Sequence, residues 1–453
     1  MAAKKKTVAK KTVKKAQPAK GARPAPAAPK AVAKPTATSV RPPFVSGDKL
    51  GIPADLSRKE RLQKVNAVAN KINTSFKSPI VTSADDAHTN TYLRRPCGIM
   101  QLDIDTGGGL PAGKCCTIVG PNQSGKTTLM YHYYAMHQRL YGEDSLIANL
   151  CTEGNVDYFQ ARNAGWIIPL PWEVIDSRNA ERIKLGHPRF TDEEIAELRR
   201  EVGTNHLIEN LGTCEEYLDV VQDLLKSNLY GIVGLDSYEG LMPSAEAQLE
   251  SLEKYPQQAA RASLVGRFFQ HYGPITRNSG HFTTFIMTGQ VRNNRAKSTA
   301  PSHLAKYLPD WAEAMPDSVK HWRRIAFNVW GGAKVSNEKK AEERETIGKV
   351  INWVITKGTE GAHDNVRGET DFLYANGIGF NLLQTVFDAG LKYGVIRDGK
   401  NGLTFYPNGE PDDYLEGVPS SVEFLAAMRE DMTKEMQVRR AITHAAGKHG
   451  VYI

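Results

Sequence analysis

The sequence predicts an α/β fold in which helices cover both faces of a mainly parallel sheet. Apolar stretches of strand length alternate along the chain with helical patterns, as parallel strands joined by crossover helices require. One example is the stretch YGIVGLD at 230–236, which follows a helical pattern at 214–227. Further apolar stretches predict strands at 114–120, 145–151, 282–289, 325–331 and 349–357.

Length and composition indicate a large folded domain with appendages. The chain has 453 residues, of which 40% are apolar, and this is enough for a sizeable core. It lacks an apolar run of about 18 residues, so we expect no membrane span, and the charged N-terminus lacks the apolar segment of a signal peptide. The five cysteines lack the CxxC spacing of zinc sites. We therefore expect reduced thiols in a cytoplasmic protein.

The positive charge of the chain is concentrated at its N-terminus. Residues 1–45 contain twelve Lys or Arg and no Asp or Glu, whereas the whole chain has a net charge of +8. The remaining residues therefore carry about −4. The tail is a low-complexity mixture of Lys, Ala and Pro, which predicts disorder. Its function would be a nonspecific anchor to nucleic acid through counterion release; the alternative is a solubilising or targeting tail.

Residues 46–96 are interpreted as one N-terminal helix and a linker. Ser57 and Glu60 have the spacing of a capping box at the start of a helix over 57–77. The helix needs a partner for its apolar stripe, either its own core or a neighbouring subunit. Apolar residues recur at helical spacing at Leu62, Val65, Ala69, Ile72 and Phe76.

The main domain is predicted to span residues 97–405. Residues 168–206 interrupt it as an insertion, in which Thr191 and Glu194 form a second capping box before a charged helix. Residues 406–453 are predicted to be a short α-rich segment with a basic end.

A phosphate-binding loop follows the first predicted strand of the main domain. Residues 120–127 (GPNQSGKT) fit GxxxxGK[ST] and open a helix, which is the context this motif requires. Its backbone N–H groups and the helix N-terminus suit phosphates, Lys126 would neutralise the β and γ oxygens of ATP, and Thr127 would ligate Mg²⁺. The predicted ATP-binding residues of this segment are Gly120, Pro121, Asn122, Gln123, Ser124, Gly125, Lys126, Thr127 and Thr128.

Two carboxylates follow predicted strands and are candidates for the chemistry of hydrolysis. Asp236 ends the strand at 230–236, where a carboxylate can reach Mg²⁺ through water. Glu153 lies just past the strand at 145–151, where it can orient the attacking water. The alternatives are an ordinary strand-end Asp and a solvated loop Glu.

A long segment after the strand at 282–289 is a candidate DNA-binding loop. Gln290 ends that strand, where its amide would sense the γ-phosphate. Residues 291–317 then show little periodicity, and a long loop in a compact domain is usually functional or disordered. Basic groups suit phosphates and aromatic rings suit base stacking; the alternative is a solvated loop with a packed Trp. The basic and aromatic residues considered are Arg292, Arg295, Lys297, Lys306, Tyr307 and Trp311.

These segments, in this order, resemble the RecA/UvsX family of DNA strand-exchange recombinases. The resemblance covers roughly residues 57–405 apart from the insertion, and it implies a RecA-like P-loop ATPase core. The segments that carry it are CGIMQLDIDTGGGLPAGKCCTIVGPNQSGKTTL, TEGNVDYFQARNAG, LDSYEGLMPSAE, FIMTGQVR, DSVKHWRRIAFNV and FLYANGIGFNLLQTVFDAGLKYGVI.

The resemblance implies roles around the nucleotide. Glu153 would activate the attacking water, and Gln290 would switch between the nucleotide and DNA sites. Lys357 and Tyr374 would reach the nucleotide of a neighbouring subunit, with the lysine acting on transition-state charge and the tyrosine packing on the adenine. Asp157 would approach the adenine of its own subunit.

The resemblance also implies two DNA-binding loops. The second would be 291–317, closed by a segment in which Lys320 holds a basic position. The first would lie within about 246–262, where Arg261 is a candidate contact.

The sequence departs from the family pattern at several positions. Ile355 stands where the family places the first of two lysines, the second being Lys357. Gln160 occupies the place of an adenine-stacking Tyr. The insertion, the longer second loop and the basic C-terminal end are further differences, and they fit a divergent, phage-encoded member.

The function implied is an ATP-dependent recombinase that assembles with itself on single-stranded DNA and exchanges that strand with homologous double-stranded DNA. One alternative is a hexameric helicase with the same fold, although the helix at 57–77 is followed by a short linker rather than a helical N-terminal domain. The other is a scaffold protein that coats DNA and hydrolyses ATP barely.

Overall fold

The computed structural model separates the chain into two units, residues 1–89 and 90–453. In the first unit, helix α1 (Arg58–Phe76) confirms the helix predicted at 57–77. Val65 and Val68 on this helix are 62% and 58% exposed. Ser57 and the basic tail lie outside the described residues. These are 58–76, 93–154, 156–247, 259–276, 281–293, 311–336, 345–359, 361–374, 379–413 and 415–447.

The described residues of the larger unit form a nine-stranded sheet and two separate two-stranded sheets, β1–β2 and β12–β13. The six strands predicted from apolar stretches are all present, with ends shifted by up to five residues. The strands are β1 (Arg94–Arg95), β2 (Leu110–Pro111), β3 (Cys115–Gly120), β4 (Leu146–Cys151), β5 (Thr204–Ile208), β6 (Ile232–Asp236), β7 (Thr284–Asn293), β8 (Trp311–Glu313), β9 (Ile325–Ser336), β10 (Thr346–Lys357), β11 (Arg367–Leu373), β12 (Ile396–Gly399) and β13 (Gly402–Phe405).

Helices connect most of these strands. The predicted capping box of Thr191 and Glu194 is present at the start of α6. No described helix has the length and apolar character needed to cross a membrane. The helices of the larger unit are α2 (Met100–Asp105), α3 (Lys126–Tyr141), α4 (Tyr158–Asn163), α5 (Trp172–Lys184), α6 (Asp192–Leu198), α7 (Cys214–Ser227), α8 (Ser244–Ala247), α9 (Ala259–Thr276), α10 (Asp317–Trp322), α11 (Leu382–Lys392), α12 (Ser421–Glu430) and α13 (Met432–Ala445).

The sheet is mainly parallel, as predicted. Its order is β11–β10–β9–β3–β7–β6–β4–β5, and β8 pairs with β7. The neighbours from β9 to β5 are parallel, whereas β10, β11 and β8 join antiparallel. The carboxyl ends of β3, β4, β6 and β7 therefore meet at one edge of the sheet, where side chains that follow these strands can converge.

Both faces of the central strand β3 are covered, which explains its continuous apolar sequence. Ile118 belongs to a core cluster with Tyr134 of α3 and Trp166. Val119, pointing to the other face, belongs to a cluster with Phe269 of α9. The P-loop therefore begins at the end of a strand that packing holds firmly on both sides.

Seven of the described strands were not predicted, namely β1, β2, β5, β8, β11, β12 and β13, and three predicted strands, β7, β9 and β10, are longer than expected. The sequence TNHLI forms the edge strand β5 at the end of the predicted insertion 168–206, and its side chains are half-buried or exposed. β7 continues past Gln290 to Asn293 and pairs with β8. The prediction that this strand ends before a long loop at 291 is therefore wrong, because pairing with a second strand extends it.

The C-terminal helices are joined to the P-loop helix through buried charges. Glu435 on α13 lies 2.7 Å from Arg139 on α3 and 2.8 Å from Arg439, which is fully buried. Burial alone would raise the pKa of Glu435, but the two arginines outweigh it and lower this pKa. Because the folded pKa is lowered, the stabilisation is present above the unfolded value of 4.5 and is lost as the pH falls through the folded value.

We expect Glu435→Ala to lower the free energy of unfolding by about 3–5 kcal/mol, because it leaves a buried arginine without its carboxylate. Urea unfolding followed by tryptophan fluorescence at pH 7 measures the change. Glu430→Ala, on the exposed end of α12, is the matched control. Equal midpoints for the two variants would contradict the structural role of this ion pair.

Candidate nucleotide-binding site

The loop between β3 and α3 has the geometry of an anion cradle. Gln123 and Gly125 have left-handed φ angles of 57° and 86°. A Cβ at Gly120 would lie 2.1 Å from the carbonyl oxygen of Val329, so only glycine fits there. The buried hydroxyl of Ser124 has no hydrogen-bond partner within the described part of the chain. With the N-terminus of α3 beside it, this loop fits the phosphates of a nucleotide.

Charges converge beside this loop. The ammonium of Lys126 donates a hydrogen bond to the carbonyl oxygen of Pro121 (2.8 Å). Burial lowers the pKa of Lys126. Three neighbouring carboxylates act against that shift, those of Asp236, Glu239 and Glu153. The structure therefore brings together three residues predicted separately from sequence, and it adds Glu239.

Asp236 connects the P-loop helix to β7. Its carboxylate accepts hydrogen bonds from the hydroxyls of Thr127 (2.7 Å) and Thr288 (2.5 Å). Burial raises the pKa of Asp236, and both hydrogen bonds oppose that shift. Thr127 and Asp236 are thus adjacent oxygen donors of the kind that suit Mg²⁺, whose charge would offset the cost of burying the carboxylate. Sequence reasoning missed Thr288, although it lies two residues before Gln290.

Two hydrogen bonds join the residues that follow β4 and β6, next to Glu153. The hydroxyl of Thr152 donates to the carbonyl oxygen of Ser237 (2.7 Å) and accepts from its N–H (2.9 Å). The hydroxyl of Ser237 in turn donates to the exposed carboxylate of Glu153. Thr152 and Ser237 therefore position the carboxylate, and neither was identified from sequence.

A 3₁₀ turn after Asp236 touches two candidate DNA-binding segments. Glu239 in this turn accepts a hydrogen bond from the backbone N–H of Gln290 (2.8 Å). Its own carbonyl oxygen accepts from the guanidinium of Arg261 (2.8 Å). Burial raises the pKa of Glu239, and the bond from Gln290 opposes this. No motif in the sequence distinguishes Glu239 from other acidic residues.

The second candidate DNA loop has a stem that is anchored to the core. β7 and β8 pair antiparallel, and the N–H of Ala314 donates to the carbonyl oxygen of Gln290 (3.0 Å). Glu313 of β8 forms a buried ion pair with Arg323 (2.5 Å). At the loop end of the stem, Trp311 pairs with Asn293 and is 51% exposed. The stem is thus tied directly to the residue that would sense the γ-phosphate.

The predicted DNA contacts are only partly described. Arg292 lies on β7 with an exposed side chain. Lys320 lies in α10, 3.0 Å from Asp317. Arg261, the candidate contact within the predicted range 246–262, belongs to the first turn of α9. The following residues lie outside the described part: 248–258, Arg295, Lys297, Lys306 and Tyr307.

Asp157 and Gln160 lie at the start of α4. The Asp157 carboxylate caps this helix by accepting from the N–H groups of Phe159 (3.0 Å) and Gln160 (2.9 Å). The Gln160 side chain donates to the hydroxyl of Thr128 (2.6 Å) on the P-loop helix. Gln160 therefore contacts the P-loop helix from the position where the family places a stacking Tyr.

Lys357 lies far from the P-loop of its own chain. It ends β10, and its ammonium donates to the carbonyl oxygens of Lys320 (2.8 Å) and His321 (3.0 Å). Lys349, at the other end of β10, donates to the carbonyl oxygen of Gln123 in the P-loop (2.5 Å). Eight residues of extended strand separate the two lysines by about 26 Å.

Tyr374 lies on the P-loop side of the sheet, whereas the resemblance implied contact with a neighbour's nucleotide. Its ring is 52% exposed and meets the ring of Phe372 edge-on, with centroids 6.2 Å apart. Phe372 approaches within 3.8 Å of where a Cβ of Gly125 would lie. The half-exposed ring of Tyr374 therefore lies near the P-loop of its own chain, and its contact with a nucleotide stays a prediction. Ile355, at the position of the family's first lysine, is fully buried in the core.

The cysteines and the other potential metal ligands do not form a metal site among the described residues. All five cysteines are free thiols, and four of them are buried. Among the described residues there is no group of three or more His, Cys, Asp or Glu that could hold a metal ion.

Fold and site together define a P-loop protein with a mainly parallel, helix-covered sheet. The chain is 30% identical over 340 residues to protein RecA of Oleidesulfovibrio alaskensis, covering 74% of this chain and 80% of that protein. It is 23% identical over 384 residues to protein RecA of Thermotoga maritima, covering 83% and 89%. A segment of 97 residues is 41% identical to DNA repair protein recA homolog 1, chloroplastic, of Arabidopsis thaliana, 21% of each chain. No family model matches the chain. The chain belongs to the RecA family.

We expect Thr152→Val to lower the free energy of unfolding by about 1–3 kcal/mol, because it removes both hydrogen bonds to Ser237 and leaves that backbone unpartnered. Urea unfolding measures this effect. Thr433→Val, on the exposed first turn of α13, is the matched control. An unchanged free energy of unfolding in Thr152→Val would contradict a stabilising role of the hydrogen bonds between Thr152 and Ser237.

Proposed function

We propose that this chain is an ATP-dependent DNA recombinase that forms helical filaments on single-stranded DNA and exchanges that strand with homologous duplex. The main support is the turn at Tyr238–Gly240, which follows Asp236 and contacts both Gln290 and Arg261. A protein that couples nucleotide state to DNA binding needs such a physical link. A relative named a DNA repair protein supports the same function.

Each residue of the site has a role in hydrolysis. Lys126 and the P-loop N–H groups would hold the phosphates of ATP. Thr127 and Asp236 would hold Mg²⁺, which supplies positive charge to the phosphate oxygens. Glu153, held by Ser237, would orient the attacking water by accepting its hydrogen bond.

Gln290 would pass the nucleotide state to the DNA loops. Its backbone is fixed between Glu239 and Ala314, and β7 continues from it into the stem of the second loop. A shift of Gln290 would therefore move that stem. Arg261 would respond through the same turn, since it binds the carbonyl oxygen of Glu239.

Self-association would complete the site. Lys357 lies at the opposite edge of the sheet from its own P-loop, so the phosphate it can reach belongs to a second copy. Heterologous contacts of this kind repeat head to tail and build filaments or rings. The exposed valines of α1, Val65 and Val68, provide apolar area for a neighbour to cover. Tyr374, by contrast, would pack on the adenine of its own subunit.

The remaining features fit the same function. The basic tail at 1–45 would anchor the protein nonspecifically to DNA. Low identity to the bacterial relatives and the basic C-terminal end fit a divergent, phage-encoded member acting on DNA in the cytoplasm.

We expect Lys126→Ala to abolish ATP binding and strand exchange, because it removes the phosphate-neutralising ammonium.

Glu153→Gln should bind ATP and pair strands while hydrolysing ATP at least about 100-fold more slowly, since general-base catalysis contributes about 10²–10⁴. A fluorescence assay of strand exchange, run with ATPase measurements, tests both. Filaments of Glu153→Gln that dissolve as fast as the wild type would contradict the role of Glu153, and absence of strand exchange by the wild type would contradict the proposed recombinase.

Mixing two inactive variants tests action between subunits. Glu153→Gln lacks the water-orienting group, and Lys357→Ala lacks the lysine offered to a neighbour. Mixed one to one, they should recover roughly a quarter of the wild-type ATPase rate. A site is complete only where a Lys357→Ala subunit binds ATP and supplies Glu153, while a Glu153→Gln neighbour supplies Lys357. Mixtures of Glu153→Gln with Lys126→Ala form the control, since both defects there lie in one subunit's own site. Equal rates for the two mixtures would contradict action of Lys357 between subunits.

A further inference from the structure

Lys349 brings a second ammonium to the P-loop from a distant part of the chain. It lies near the start of β10, and its ammonium donates to the carbonyl oxygen of Gln123 at the tip of the loop (2.5 Å). The aliphatic part of the Lys349 side chain passes over Gly331 of β9, because a Cβ added to Gly331 would lie 3.7 Å from the Lys349 Cδ. The ammonium also lies 5.7 Å from the ring centroid of Phe372. The side chain is therefore held beside the P-loop.

This ammonium lacks an anion in the described part of the chain. No described carboxylate lies within 4.0 Å of the Lys349 Nζ, and its hydrogen bond is to a neutral carbonyl. Burial lowers the pKa of Lys349, and no charge of a described residue opposes this shift. A half-buried cation without a counterion is costly, and an ammonium has three donors, of which Gln123 uses one.

We propose that Lys349 binds the phosphate chain of the nucleoside triphosphate held by the P-loop of its own subunit, as a second cation beside Lys126. This inference rests on the proposed function, because it concerns the same nucleotide. The triphosphate supplies the missing anion, and the two remaining donors of Lys349 are available to it. The Phe372 ring beneath the ammonium keeps the cation from turning away into solvent.

The alternative to phosphate binding is that Lys349 only stabilises the conformation of the P-loop. Gln123 holds a left-handed φ of 57°, which is uncommon for a residue with a side chain. A hydrogen bond from Lys349 to its carbonyl oxygen could serve only to fix this conformation. Such a role needs a donor but no charge, and its loss would affect the protein without nucleotide.

Four variants of the full chain separate these roles. Lys349→Met keeps the apolar stem, Lys349→Gln keeps a donor without charge, and Lys349→Arg keeps the charge. Lys334→Met is the matched control, because Lys334 is the cross-strand partner of Lys349 on β9 and has an exposed side chain. The readouts are the Kd of a fluorescent ATP analogue with Mg²⁺ and the thermal midpoint without nucleotide.

We expect Lys349→Met and Lys349→Gln to raise the Kd about tenfold, equal to about 1.4 kcal/mol, with unchanged thermal midpoints. Lys349→Arg should bind nearly as the wild type does, and Lys334→Met should match it. Wild-type affinity in Lys349→Gln, or a fall in the nucleotide-free midpoint that accompanies weaker binding, would overturn the proposal. If the wild type itself binds no nucleotide, the proposed function fails instead.

Discussion

The carboxylate of Asp236 is the group on which the arrangement of the site depends. It accepts from Thr127 on the P-loop helix and from Thr288 on β7, and so it fixes three elements at one point. Burial disfavours its charge, while these hydroxyls and the ammonium of Lys126 favour it. The turn that follows Asp236 then fixes the backbone of Gln290. The geometry of the candidate phosphate site and the position of the candidate second DNA loop thus both depend on Asp236.

The polarity of the sheet gives each subunit two different edges. The carboxyl ends of the parallel strands hold the P-loop and its carboxylates, and Lys349 reaches the same edge because β10 begins there. Lys357 ends β10 at the other edge, beside α10. One edge would thus hold a nucleotide while the other offers a lysine to the next copy. The proposed assembly would thus depend on the direction of a single strand, β10.

Local sequence predicted the parts of the structure that local interactions determine. The P-loop, Asp236 and the buried strands have strong signals, since they require particular residue types or continuous apolar stretches. β5 and β8 were missed because their short, mixed sequences are stabilised by pairing at a strand edge. Glu239 and Lys349 were missed for a related reason. Their contacts, with Gln290 and Gln123, join positions far apart in sequence through the register of the sheet.

Cryo-electron microscopy with single-stranded DNA, Mg²⁺ and a slowly hydrolysed ATP analogue tests whether bound nucleotide assembles the chain into filaments on DNA. We expect continuous helical filaments that form only with the nucleotide, in which Lys357 of one subunit approaches the P-loop of the next. Discrete six-membered rings, particles indifferent to nucleotide, or filaments with Lys357 remote from any phosphate would contradict it.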